Sequence, residues 1–262
     1  MVYIILVIYN RFISDIDLLR KIGINGFRFV LVDNSDNDDI IKQNSSTLFD
    51  SKIKYICNHN NVGLSKAYNI GIDWITNNST DLNNIWIMYA EDDTNFSDFY
   101  LNNVLHTCCE NKNTYYHIVS GIIKDQFGTI ISPVRAIPIF RMRQVETLGM
   151  KKNIICINSG LVVKWEVFTK VRFDEGLFLD LIDYKLFYDL KNKQLDQVMI
   201  VDGEIIQGFS GTEKNVHKKT LIKRFDIYKK DLRYYYKNSD LSYFKYLVII
   251  IKRMISVLLK CI

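Results

Sequence analysis

The chain has 262 residues, with 34 Lys+Arg against 29 Asp+Glu and a formal net charge of +5. Apolar residues at 48% and charged residues at 24% exclude a disordered chain, and 2 prolines with 12 glycines exclude a Pro/Gly-rich linker or a collagen-like array. Cys57, Cys108, Cys109, Cys156 and Cys261 are odd in number and lack C-x-x-C spacing, so neither a disulfide framework nor a cysteine zinc site is expected and a reducing compartment is the default.

Residues 2–9 are a continuous β-branched run that enters Asn10-Arg11 without a basic leader or a small-residue cleavage site, which predicts a first strand buried on both faces. Residues 14–22 read as a helix, with Ile16, Leu19 and Ile22 at helical spacing. Residues 27–32 predict a second strand ending at Asp33-Asn34-Ser35, and residues 52–57 a third ending in the turn-forming run 58–63. A helix over 65–75 follows, then a fourth strand over 85–90 that ends at Glu91-Asp92-Asp93. This alternation implies βαβ units and a parallel sheet, whose ligand site lies at the carboxyl ends of the strands. Further on, short strands are expected over 118–122 and 129–131, a helix over 165–171, a helix over 181–190 and a strand over 199–206. No internal repeat and no linker precede residue 212.

Several clusters at those strand ends carry chemistry. Three adjacent carboxylates repel one another unless a cation or a set of donors is present, and Mg²⁺ takes one or two carboxylates plus phosphates and water. Glu91 and Asp93, at i and i+2, point the same way in extended chain and Asp92 points away. The other reading is a solvated acidic turn with Thr94 or Ser97 as the cap of a following helix. Asp33 suits either a ribose or base contact or an Asx-turn. The run 58–63 suits either anion binding at a helix start or plain turn chemistry. Asp180 and Asp183, at i and i+3, are either general-base candidates or charges complementing a helix dipole. His217 is one of 4 histidines and by itself reads as structural or solvated more readily than as a ligand.

Taken in order, these segments resemble a family 2 inverting glycosyltransferase of GT-A fold. Val7-Ile8-Tyr9-Asn10-Arg11 is similar to the family's opening strand and nucleotide loop, and Leu31-Val32-Asp33-Asn34-Ser35 to its second-strand signature. The N-x-G-x-x-x-A-x-N-x-G segment is matched by residues 61–71, with Asn61, Gly63, Ala67, Asn69 and Gly71 at the fixed positions. Glu91-Asp92-Asp93-Thr94 occupies the place of the D-x-D metal motif. Asn158-Ser159-Gly160 and then Phe173 to Asp183 resemble the acceptor-side segment carrying the catalytic base, and the F-x-D-x-x-D detail with Arg233 to Asn238 looks most like the rhamnosyltransferase-type branch. Two positions depart: Glu91 stands for Asp, and Phe209 stands where that branch has a His, which leaves His217 as the substitute.

The resemblance implies a GT-A (Rossmann-like) α/β fold, a mostly parallel sheet flanked by helices, over 1–212, with a nucleotide-binding half of about 1–95 and an acceptor half of about 96–212. It implies transfer of a sugar, rhamnose, galactofuranose or another hexose, from a UDP- or dTDP-linked donor to a hydroxyl of a glycan acceptor in surface polysaccharide synthesis. Asp183 is then the base, with Asp180 the alternative and also an acceptor contact. Tyr9, Asn10, Asp33, Asn61, Gly63, Lys66, Asn69, Glu91 and Asp92 would bind the donor, and Ser159 and Gly160 the acceptor. Asp93, with Glu91 and His217, would hold Mn²⁺ or Mg²⁺. A non-catalytic nucleotide- or polyanion-binding protein and a sugar nucleotidyltransferase are the alternatives; the latter usually needs a Gly-rich first loop, and Tyr9-Asn10-Arg11 has no glycine.

The charge is unevenly spread. Residues 214–262 hold 13 Lys+Arg against 3 Asp+Glu, a local +10, and residues 1–213 hold 21 against 26, a local −5. Segment 213–262 is expected as a basic amphipathic helical extension, with Leu241, Phe244, Val248, Ile251, Ile255, Leu258 and Ile262 forming a stripe and Lys245, Lys252, Arg253 and Lys260 off it. Over 241–262 the stripe suits either an anionic membrane surface or packing on the body or on a second copy in a homodimer. No nucleic-acid motif accompanies the charge, so no nucleic-acid partner is expected. A cytoplasmic protein, peripheral on the inner face of the cell membrane and acting on a lipid-linked acceptor, fits this set.

Overall fold

The structure is a computed structural model that describes residues 1–20, 26–47, 51–109, 115–137, 141–208 and 218–260. His217, Phe209, Ile22, Cys261 and Ile262 lie outside the described residues.

Strands β1 (Val2–Ile8), β2 (Phe27–Asp33), β3 (Ile53–Cys57) and β4 (Trp86–Glu91) pair in parallel in the order β3-β2-β1-β4. Strands β5 (Thr94–Phe96), β6 (Ile118–Ser120), β7 (Ile123–Asp125), β8 (Ile130–Ser132), β9 (Val134–Ile137), β10 (Arg141–Gln144), β11 (Gly149–Lys151), β12 (Val162–Lys164), β13 (Val198–Ile200) and β14 (Ile205–Gln207) follow. Together with the first four, β12, β6, β13 and β11 make an eight-stranded sheet in the order β11-β13-β6-β12-β4-β1-β2-β3, parallel except where β12 and β11 join. A four-stranded sheet, β5-β14-β7-β8, and a β9–β10 hairpin complete the strands.

Period 2 sorts the central strand between two cores. Tyr3, Ile5 and Val7 face one side, against Ala67, Tyr68, Ile72 and Ile75. Val2, Ile4, Leu6 and Ile8 face the other, against Tyr100, Leu101 and Val104. Those partners lie on α3 (Leu64–Asn78) and α4 (Asp98–Cys109), which follow α1 (Asp17–Arg20) and α2 (Asp38–Ser45) in the chain. Later come α5 (Ile182–Asn192), α6 (Lys218–Lys237) and α7 (Tyr243–Lys260). The result is the expected mixed α/β architecture, a large mostly parallel sheet flanked by helices.

Four local readings change. The helix expected over 14–22 is a 3-10 turn, Ile13–Asp15, and the single turn α1, separated by Ile16 in extended conformation. Helix α2 was unexpected; Asn37 starts it by accepting from the N–H groups of Asp39 and Ile40. The segment 165–171 is a 3-10 turn, Trp165–Thr169. The strand expected over 199–206 splits into β13 and β14, which belong to different sheets. Gly203 makes the break at φ +131°, and a Cβ there would lie 2.4 Å from the Tyr100 Cα. Gly203→Ala is therefore expected to destabilise the fold by at least about 2 kcal/mol, read as a lowered Tm, because both the backbone and the contact oppose it.

Candidate active site

Register brings three polar strand ends together. Ile8 pairs with Asp33 and Val7 with Glu91, so the segments after β1, β2 and β4 are neighbours. Asn10, at φ +50°, takes its N–H to Ser35 Oγ at 2.9 Å while its Oδ1 accepts from the N–H groups of Asp36 and Asn37. The Asp36 carboxylate accepts from Tyr9 Oη at 3.0 Å and Asn10 Nδ2 at 2.7 Å, and these two donors hold its carboxyl below the usual range. Asp33 is fully buried, accepting from Ser35 N–H at 2.9 Å, Asn44 Nδ2 at 3.0 Å and Tyr55 Oη at 2.7 Å. It therefore fixes the loop whose exposed carboxylate is Asp36.

Asn61 closes an Asx-turn by accepting from Gly63 N–H at 3.0 Å. Gly63 has φ +88°, and a Cβ there would sit 2.9 Å from the Phe178 carbonyl oxygen. That same oxygen accepts from Leu64 N–H at 2.7 Å, so the start of α3 is stitched to the loop before α5. Asn69, buried, donates to the Phe173 carbonyl and to Glu175, and Lys66 is exposed on α3.

Glu91 and Asp93 both line a cavity of about 780 Å³, whereas Asp92 turns to Arg11, whose guanidinium lies 3.8 Å away and also donates to the Asp92 carbonyl. Burial, reinforced by the charges of Asp93 and Asp92, pushes the Glu91 carboxyl up to about 8. Tyr68 Oη donates to one Glu91 oxygen at 3.5 Å and Gln207 Nε2 to the other at 3.4 Å. Burial and the Asp92 charge push Asp93 up to about 6. Ser97, not Thr94, caps the helix that follows: its Oγ accepts from Tyr100 N–H at 3.1 Å. Among the described residues no group of three His, Cys, Asp or Glu side chains is gathered to hold a metal ion. Two mutually repelling carboxylates in a cavity are nonetheless a hard-oxygen donor set of the size that Mg²⁺ or Mn²⁺ uses when phosphates complete its shell, so these residues fit such an ion.

Across the cavity stand Asp180 and Asp183. Asp180 is gripped by the Arg224 guanidinium, which donates from both nitrogens, one of them to Oδ1 at 2.8 Å. Asp183, in the first turn of α5, accepts from its neighbour's N–H, Tyr184, at 3.1 Å; burial pushes its carboxyl up to about 6. Leu181, at φ +62°, makes the kink that leads into α5. The loop is held by Asp231 of α6, which is 2% exposed and accepts from the N–H groups of Phe178 at 3.0 Å, Leu179 at 2.9 Å and Asp180 at 2.8 Å.

Of the sequence-singled residues, Glu91, Asp93, Asp180 and Asp183 meet in one cavity, and Tyr9, Asn10, Asp33 and Asp92 gather at the adjoining strand ends. Ser159 and Gly160 lie in the interior, Gly160 taking the Tyr100 hydroxyl on its carbonyl at 2.5 Å, while their neighbour Asn158 reaches the cavity, its buried Oδ1 without a hydrogen-bond partner among the described residues. Sequence reasoning missed Asp36, Gln207, Arg224 and Asp231, and at Asn158-Ser159-Gly160 it gave the acceptor role to the second and third residues rather than to Asn158. A signal existed for Asp231: Tyr228, Leu232 and Tyr235 at i, i+4 and i+7 mark an inward stripe in an otherwise basic helix, and Asp231 sits beside it.

A family model described as Glycosyl transferase family 2 matches residues 3–165. No curated protein sequence matches. Solved structures with a similar fold include S. aureus TarS, at 13% identity and TM-score 0.54, covering 96% of this chain and 43% of that one. The S. aureus TarS 1–349 crystal structure in complex with UDP is also similar, at 13% identity and TM-score 0.51, covering 97% and 70%. The chain thus spans less than half the length of the first of these, and at such identities the likeness is one of fold.

Proposed function

The chain belongs to glycosyl transferase family 2, and from that premise we propose an inverting, metal-dependent transfer of a hexose from a nucleotide sugar, UDP- or dTDP-linked, to a hydroxyl of a glycan acceptor. The observation that carries this reading is the shared cavity, with Glu91 and Asp93 on one wall and Asp183 on the other. Asp180 is neutralised by Arg224, so Asp183 is the carboxylate left to take a proton. With its carboxyl near 6 it is ionised at neutral pH and still a competent acceptor.

In the proposed step Asp183 removes the proton of the acceptor hydroxyl as that oxygen bonds to the anomeric carbon. The bond from that carbon to the diphosphate breaks on the opposite face, and the nucleoside diphosphate leaves with the electron pair. One displacement inverts the centre and requires a single base. Asp93, with Glu91, would hold a divalent cation, which when bound offsets charge on the diphosphate. Tyr9, Asn10 and the loop braced by Asp33 would seat the nucleoside, and the UDP in the TarS 1–349 complex supports a nucleoside-diphosphate donor. The rhamnosyltransferase-like motifs favour rhamnose, galactofuranose or a related hexose.

The test is nucleotide release from UDP-, dTDP- and GDP-sugars with Mn²⁺ or Mg²⁺ and lipid-linked acceptors. Asp93→Asn should weaken cation-dependent nucleotide binding at least about tenfold, the scale of a lost charge-assisted contact. Equal nucleotide affinity of the wild type with and without EDTA would overturn the metal assignment.

A further inference from the structure

Helix α7 divides into two unlike sides. Arg253 on its inner side stacks over the Tyr228 ring of α6 at 5.1 Å, and Lys245 and Ile249 line the cavity. Its outer side is exposed: Ile251, Ile255 and Leu258 recur on one helical face, flanked by Met254 and Leu259, with exposures from 44% to 68%. Toward its start the stripe meets the body, with Leu241 lining the cavity and Val248 half-buried, whereas Ile251, Ile255 and Leu258 are exposed. Large apolar side chains left contiguous on a surface mark an interaction site.

The charge decides the occupant. The described part of α7 has Lys245, Lys252 and Arg253 and no acidic residue, within a segment of local charge +10. A symmetric pair of copies joined through this stripe would set two such segments side by side, which electrostatics opposes. An anionic bilayer instead attracts the charge and accepts the apolar face. At 18 residues, α7 extends about 27 Å, long enough to lie along a surface. Among the described residues no helix is long and apolar enough to cross a membrane.

We propose that α7 docks flat on an anionic membrane surface through Ile251, Ile255 and Leu258, and that this sets the cavity mouth beside the bilayer, where an acceptor anchored in the lipid can enter past Lys245. The acceptor half of the statement rests on the glycosyltransferase reading; the docking half does not. The experiment is co-sedimentation of the full chain with vesicles of phosphatidylcholine alone or with one quarter phosphatidylglycerol, alongside size-exclusion chromatography and, separately, nucleotide release with a soluble acceptor. The wild type should bind the anionic vesicles at least tenfold better than the neutral ones and lose binding as salt rises. The combined variant I251D/I255D/L258D, checked for helix content by circular dichroism, should lose binding. Lys252→Glu, which leaves the stripe intact, should weaken it more than about fivefold, the scale of one basic residue lost at an anionic surface. No sedimentation of the wild type with anionic vesicles at low salt, or equal binding by the triple variant, would overturn the proposal. So would a wild-type dimer that the triple variant splits without any vesicle binding. Vesicle binding without nucleotide release would leave docking standing and remove the transferase reading instead.

Discussion

Asp183→Asn should bind the nucleotide donor like the wild type and lose turnover by at least about 100-fold, the scale of a missing general base. Asparagine keeps the shape and the hydrogen bond to Tyr184 N–H but cannot accept the acceptor's proton. Wild-type activity should rise with pH through about 6, where Asp183 ionises, and the variant's residual activity should lack that limb. Stability separates this from a structural defect. Burial raises the folded carboxyl above its unfolded value, so its contribution to stability is complete below the unfolded pKa and is lost as pH climbs through about 6. At pH 8 the asparagine variant should therefore melt no lower than the wild type. Near-normal turnover would hand the role to another group; a fall in Tm with the fall in rate would make the residue structural.

The second large effect falls on a residue that touches no substrate in this reading. Asp231→Ala would leave the N–H groups of Phe178, Leu179 and Asp180 without their acceptor. At 1–3 kcal/mol for each buried unpaired group, the loss should reach roughly 3 kcal/mol, about 6 °C or more in Tm. The same loop carries Asp180 and feeds into Asp183, and a displacement of about 1 Å at a reacting group can lower rate about 100-fold. We therefore expect kcat to fall even well below the variant's melting point. Asp231→Asn retains one acceptor oxygen and should recover part of both losses. A variant with wild-type Tm and kcat would show that the three hydrogen bonds do not hold the loop.

The parallel half of the fold was legible because its strands are apolar on both faces and end in polar clusters. Residues 2–9, 27–32, 52–57 and 85–90 locate β1 to β4 to within a residue or two. The second half was harder because its strands are mostly three or four residues long, too short for a period, and a glycine at φ +131° splits what reads as one strand. At the site, the carboxylates at the end of β4 and the start of α5 could be singled out from sequence, since each lies at an element boundary. The pairing of Asp180 with Arg224 could not, because the two are 44 residues apart. Asp231 is easily passed over for a related reason: amid Lys229, Lys230 and Arg233 it reads as a solvated counter-charge, and the stripe beside it marks the inward face without showing what the carboxylate binds.

The bracing of the 178–180 loop by α6 also bears on how this sequence can vary. Asp231 binds that loop through backbone N–H groups, so these contacts depend on the acceptor at 231 and not on which side chains stand at 178 and 179. Arg224 and Asp180, by contrast, meet side chain to side chain and must change together or not at all. Transplanting this loop into another chain would then mean moving it and α6 as one cassette, although they are far apart along the chain.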